Sequence, residues 1–205
     1  MPNIKNIIFD LGGVLIEWDP NHLYKKLIPD DVKRDWFLSN ICTMAWNEEQ
    51  DGGRTIKEAT DLLLAQYPEH ADLINAYYAR WEEMLNGHYE ETVAVFKALK
   101  DANLFKIYAL TNWSAETFPR ALELFDFLHW FDGRLVSGEE NTRKPFKEIY
   151  DLILSRFDLI AEESIFIDDN LRNVLAAREC GIHALHFTSA NQLKADLMKY
   201  NIAIN

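Results

Sequence analysis

Cysteine is scarce, basic charge is outnumbered and long apolar runs are missing, and each shortage narrows what this chain does. Among 205 residues only Cys42 and Cys180 carry thiols, and neither stands in a CxxC or CxxH pairing. A disulfide framework or a cysteine-based zinc site is therefore not expected. Lys and Arg number 21 against 33 Asp and Glu, for a formal net charge of −12. Nucleic acids and anionic membrane surfaces both call for clustered basic residues, so neither is an expected partner. No stretch approaches the roughly 18 apolar residues needed to span a bilayer. The opening MPNIKNIIFD is too short, and too soon interrupted by charge, for a signal peptide. A reduced, cytoplasmic, soluble protein is the expectation. An anionic small substrate stays open, because a bound cation reverses the local field.

What is present is an alternating texture with one long interruption. Ile4 to Phe9 is a β-branched and aromatic run that ends on Asp10 and reads as a buried strand. From about Pro20 to Leu85 the patterns are helical, broken at Pro29-Asp30, Asp51-Gly52-Gly53 and Tyr67-Pro68, with no strand expected. After Gly87, strands are predicted at Phe105 to Leu110, Arg134 to Ser137, Ser164 to Ile167 and His183 to Phe187. Helices are predicted between them, over about Glu90 to Asp101, Ser114 to Leu124 and Pro145 to Phe157, then from Leu171 to a cap at Gly181, with one more at the end. Such alternation implies an α/β fold, a Rossmann-like and mostly parallel sheet with helices on both faces. The expected division is a core of residues 1–18 and 87–205 with a helical insertion of residues 19–86.

Sheets of this kind bind ligands at the carboxyl ends of their strands. Those ends carry Asp10, Thr111-Asn112 and Asp168-Asp169, and the loop Arg143-Lys144-Pro145 adds a lysine. Singly, an Asp or Thr after a strand is as readily a helix cap. Together, three carboxylates on one edge repel one another unless a cation neutralises them. Mg²⁺ favours a few carboxylates, waters and phosphate oxygens. Thr111 and Asn112 offer donors to a phosphoryl group, and Lys144 offers positive charge.

The ordered set Asp10-Leu-Gly-Gly-Val, Thr111-Asn112, Lys144-Pro145 and Asp168-Asp169-x-x-x-Asn173 resembles the four motifs of the haloacid dehalogenase superfamily. The resemblance implies that Asp10 is a nucleophile forming an aspartyl-phosphate. It implies Mg²⁺ held by Asp10, the Gly12 carbonyl, Asp168 and Asp169, with Thr111, Asn112 and Lys144 on the phosphoryl group. Asn173 is then a support for the last motif, and the helical insertion a cap that selects substrate. The expected activity is hydrolysis of a small phosphate ester, a sugar phosphate being one candidate.

The pattern departs from its relatives at Gly12, where phosphatases of this kind usually place a second aspartate as general acid and base. Glu17 and Asp19, just downstream, are the candidate replacements, with an exposed hinge as the alternative for both. A metal-independent 2-haloacid dehalogenase is a competing reading, against which Asp168-Asp169 counts. A catalytically weak phosphate- or partner-binding protein is another. Trp18, Trp46 and Trp113 read as packing residues, although Trp18 and Trp113 flank the site loops and could wall a pocket. His183 and His186 read as structural, and Arg54 as a solvated residue in a cap turn. Substrate identity and oligomeric state are not legible.

Overall fold

The computed structural model describes residues 3–204. Five parallel strands form the central sheet: β1 (Asn6–Phe9), β4 (Lys106–Thr111), β5 (Gly133–Val136), β6 (Ser164–Asp168) and β7 (His183–His186). Their spatial order is β5-β4-β1-β6-β7, with β1 hydrogen-bonded to both β4 and β6. Every residue of β1 and β6 is buried, as expected where helices cover both faces of a parallel sheet. The period of two divides the strands between two cores. Ile7, Phe9, Ile107, Ala109, Ile165 and Ile167 pack on one side. Ile8, Tyr108, Leu110 and Phe166 pack on the other.

Five helices follow the first strands: α1 (Pro20–Leu27), α2 (Asp31–Asn40), α3 (Met44–Asp51), α4 (Ile56–Gln66) and α5 (Ala71–Ala79). They enclose a separate apolar cluster that includes Leu23, Tyr24, Phe37, Trp46, Ile74 and Tyr77. The remaining helices belong to the sheet: α6 (Glu90–Ala102), α7 (Phe118–Leu124), α8 (Ser137–Glu140), α9 (Lys147–Arg156), α10 (Leu171–Glu179) and α11 (Ala190–Met198). Among the described residues no helix is long and apolar enough to cross a membrane.

Two strands lie outside the predicted set. β2 (Ile16–Trp18) pairs antiparallel with β3 (Leu85–His88), Trp18 opposite Leu85, and the five helices lie between them in the chain. Each strand is too short for its period to be read, and its partner lies far away in sequence. Helix α7 starts at Phe118 rather than Ser114. There Ser114 accepts hydrogen bonds from the N–H groups of Thr117 and Phe118, and Pro119 takes a first-turn position where it need not donate.

Candidate active site

β1 is flanked by β4 on one side and β6 on the other, so the ends of these three strands lie together. Asp10 follows β1 and is 7% exposed; Asp168, the last residue of β6, is fully buried. Both are joined by one lysine. Lys144 Nζ lies 2.8 Å from Asp10 Oδ1, 2.7 Å from Asp168 Oδ2 and 3.0 Å from the Leu110 carbonyl. Burial opposes the charge on Lys144, but attraction to Asp10 and Asp168 more than offsets it, and the ammonium is held above its ordinary range. Burial, with Asp168 and Asp169 nearby, pushes Asp10 well up, against the pull of Lys144.

Two amides hold these groups in place. Asn112 Oδ1 accepts from the Lys144 N–H at 2.8 Å, and Asn112 Nδ2 donates to the Lys144 carbonyl at 3.0 Å. Asn173 Nδ2 lies 3.1 Å from each Asp168 oxygen, and its own Oδ1 is buried without a partner. The Asn170 N–H adds a 2.8 Å bond to Asp168 Oδ1.

Carboxylate oxygens of Asp10, Asp168 and Asp169 lie within 4.8 Å of one another. An all-oxygen donor set with surplus negative charge suits a hard cation such as Mg²⁺. The backbone is shaped for the same purpose. In the turn after Asp10, the Leu11 carbonyl accepts from the N–H groups of Val14, Leu15 and Ile16. Among the described residues, no backbone hydrogen bond of that turn uses the Gly12 carbonyl. Gly13 has φ +73°, and a Cβ there would stand 2.3 Å from Asp169 Oδ2, whereas a Cβ on Gly12 would meet nothing within 4 Å. Gly13→Ala is therefore expected to cost roughly 1–2 kcal/mol from the left-handed backbone alone and to displace Asp169. Gly12→Ala should fold like the wild type. Melting temperatures with and without Mg²⁺ check both, and the Mg²⁺-dependent rise should be lost only in Gly13→Ala.

A cavity of about 340 Å³ opens over this floor, with Asp10, Gly12, Asn112, Lys144, Asp169 and Asn173 below. Trp18, Met44, Tyr77, Tyr78, Trp81, Met84 and Trp113 form its apolar walls. Ion pairs join the inserted segment to the rest of the chain: Arg172 reaches Glu48 at 2.7 Å, Arg143 reaches Glu49 at 2.9 Å and Arg120 reaches Glu82 at 3.0 Å.

A carboxylate-rich floor with a buried lysine, lying under a layer of inserted helices and carrying the four motifs in order, points to one family. Residues 4–181 match the haloacid dehalogenase-like hydrolase family. The chain is a member of that family. It is 30% identical over 186 residues to the sesquiterpene phosphatase astK of Aspergillus oryzae, covering 91% of each chain. It is 26% identical to the drimenol cyclase drtB of Aspergillus calidoustus, over 95% of this chain but 36% of that protein. Among solved structures, a haloacid dehalogenase-family enzyme of Bacteroides thetaiotaomicron in a magnesium complex has the same fold. It aligns with a TM-score of 0.71 at 22% identity, over 96% of this chain and 99% of that one.

Within this hydrolase fold, not every residue singled out in the sequence reaches the cavity. Thr111 is buried at the end of β4, 1% exposed, and does not line it; Asn112, Trp113 and Ser114 do. The Asn112 side chain is spent on the Lys144 backbone. Glu17 and Asp19 are also not among the residues lining the cavity. Strand alternation turns Trp18 inward and Glu17 outward, where Glu17 pairs with His22 at 3.3 Å. Asp19 caps α1, accepting from the Asn21 N–H at 2.8 Å. Arg54 is no solvated residue: it donates to Gln50 Oε1 and to the Trp46 carbonyl, both at 2.8 Å. The residue that sequence reasoning passed over is Asp51, which lines the cavity from the cap. Its only signal was the turn Asp51-Gly52-Gly53, which gives no hint of reaching this cavity.

Proposed function

We propose that this hydrolase is a Mg²⁺-dependent phosphatase whose substrate is a small phosphomonoester with an apolar body. The observation that carries the reading is Asp10, ion-paired to a buried lysine and grouped with two further carboxylates beneath an aromatic-walled cavity. Asp10 presents one carboxylate oxygen for in-line attack on phosphorus, splitting the displacement into two easier steps through an aspartyl-phosphate. Lys144 fixes the attacking group and offsets negative charge on the transferring phosphoryl group. Asp10, Asp168, Asp169 and the Gly12 carbonyl would hold the cation, which supplies further charge neutralisation when bound. The buried Asn112 and Asn173 contacts keep Lys144 and Asp168 in register, so little reorganisation is needed during reaction.

Three indoles, two phenols and two thioethers around the cavity favour an apolar body over a sugar. Similarity to a sesquiterpene phosphatase over nine-tenths of both chains supports the same choice. Each methylene buried against such walls is worth about 0.8 kcal/mol. In a series of alkyl and prenyl monophosphates, kcat/KM should rise several-fold with each added pair of carbons until the cavity is filled. Glucose 1-phosphate should be a poorer substrate than farnesyl monophosphate, and EDTA should abolish turnover of both. A preference for the sugar phosphate would sink the apolar-body reading. Metal-independent chloride release from 2-chloropropionate, without phosphate release, would replace the phosphatase with a dehalogenase.

A further inference from the structure

Phosphate transfer to Asp10 leaves an alkoxide that needs a proton; Gly12 has no side chain to give one, Glu17 is paired with His22, and Asp19 accepts from the Asn21 N–H. Asp51 is the carboxyl group in the cavity that neither the cation site nor an ion pair employs. It is the last residue of α3, and its turn is docked on the core from both sides. Its carbonyl accepts from Ser137 Oγ, while Gly53, with φ +105°, packs so close to Asn141 that a Cβ would lie 2.4 Å from Asn141 Oδ1.

A one-way series of hydrogen bonds sets the carboxyl group's orientation. Arg54 can only donate, and its Nε gives to Gln50 Oε1 at 2.8 Å. Gln50 therefore presents Nε2 to Tyr78 Oη, at 3.0 Å. The Tyr78 hydroxyl passes its own proton to Asn47 Oδ1 at 3.0 Å, which also accepts from Tyr77 at 3.2 Å. Asn47 is thereby turned to donate Nδ2 to Asp51 Oδ2, at 3.2 Å. Asp51 Oδ2 is the acceptor end of the series.

We propose that Asp51, reaching the cavity from the cap, is the general acid and base of this reaction in place of the carboxylate that Gly12 lacks. The assignment rests on the phosphatase reading above. Other cavity groups are committed elsewhere: Glu48 pairs with Arg172 and Arg143, and the Tyr77 and Tyr78 protons go to Asn47. Burial, then the neighbouring Glu48, raise the Asp51 carboxyl to about 7, against the pull of Arg143, Lys144 and the Ser114 N–H. Tyr77 and Tyr78 of α5 are the remaining titratable groups facing it.

In the first step an Asp10 oxygen bonds to phosphorus as the ester P–O bond breaks. The Asp51 proton passes to the departing oxygen, giving the free alcohol, an aspartyl-phosphate and an Asp51 carboxylate. In the second step water attacks phosphorus and the bond to Asp10 breaks. One water proton passes to Asp51, which regenerates the acid, the Asp10 carboxylate and inorganic phosphate.

Asp51→Asn, Asp10→Asn and wild type should be compared with Mg²⁺ on an alkyl phosphate and on 4-nitrophenyl phosphate, whose leaving group needs no proton. Asp51→Asn should lose about 10²–10⁴-fold in kcat on the alkyl ester. On the nitrophenyl ester it should show a burst of nitrophenolate equal to enzyme concentration, then slow turnover, because water activation is also impaired. The wild type gives a second readout: its kcat on the alkyl ester should fall as pH rises and Asp51 deprotonates, whereas the nitrophenolate burst of Asp51→Asn should keep its size and rate over the same range. Folding is a separate check. A carboxyl raised in the folded state favours the fold below its unfolded pKa and loses that contribution as pH climbs to about 7. Asp51→Asn should therefore melt no lower than wild type at pH 8. Equal losses on both esters without a burst, or an alkyl-ester rate like wild type, would overturn the role of Asp51. Wild-type inactivity on both esters, or undiminished rates in Asp10→Asn, would overturn the phosphatase reading instead.

Discussion

Replacing Asp10 by asparagine is expected to lower phosphate release by roughly 10⁴–10⁶-fold without unfolding the protein. The amide keeps the shape of the carboxylate but not its nucleophilic charge, so no aspartyl-phosphate forms. Stability should respond in the opposite sense to activity. Asp10 is buried beside Asp168 and Asp169, and its charge is unfavourable enough to push its carboxyl well above the ordinary range. Removing that charge relieves the cluster, while Lys144 keeps Asp168 and the Leu110 carbonyl as partners. In the absence of metal, Asp10→Asn should melt at or above the wild-type temperature, a trade of stability for function common at such sites. A variant that lost activity together with its fold would show that Asp10 is structural. One that stayed active would remove it as nucleophile.

Lys144→Met is expected to act on both properties at once. Its side chain is fully buried between Asp10 and Asp168, with the ammonium 5.4 Å from the centre of the Phe166 ring. Methionine fills a similar volume but strands two buried carboxylates. Breaking a buried pair in this way costs about 3–5 kcal/mol, a fall in melting temperature on the order of 10 °C for a chain of this size. Activity should fall at least ~10²-fold, because positive charge is lost from the transferring phosphoryl group. The double variant Asp10→Asn/Lys144→Met should be less destabilised than Lys144→Met alone, since one stranded charge is gone. Strictly additive melting shifts would show that the pair at 2.8 Å carries no coupling.

The chemistry of the floor was readable in the chain because it depends on strand ends. Asp10 and Asp168 each close an apolar run, and a parallel sheet brings such ends to one edge. Lys144 was harder, since a lysine before a proline looks like a surface residue until its amide partner, Asn112, is found across the sheet. The sequence does not tell where side chains choose between faces. Thr111, expected on the phosphoryl group, is buried at the end of β4 as Asp168 is at the end of β6. Glu17 and Trp18 are neighbours in the sequence, and only the pairing of β2 with β3 decides that the indole, not the carboxylate, faces the cavity.

By itself the sequence determined the α/β core, the order of its motifs and the acidic, oxygen-rich character of the site. These follow from local periodicity and from residue types at strand ends. Only the tertiary structure decided which groups share a cavity with Asp10. The cap's own core sets the angle of α3, and the docking of Gly53 against Asn141 sets the reach of Asp51. Those contacts join residues distant in the chain, so no local pattern encodes them. The gap at Gly12 was plain from the first motif; that Asp51 of the inserted helices lines the same cavity was not.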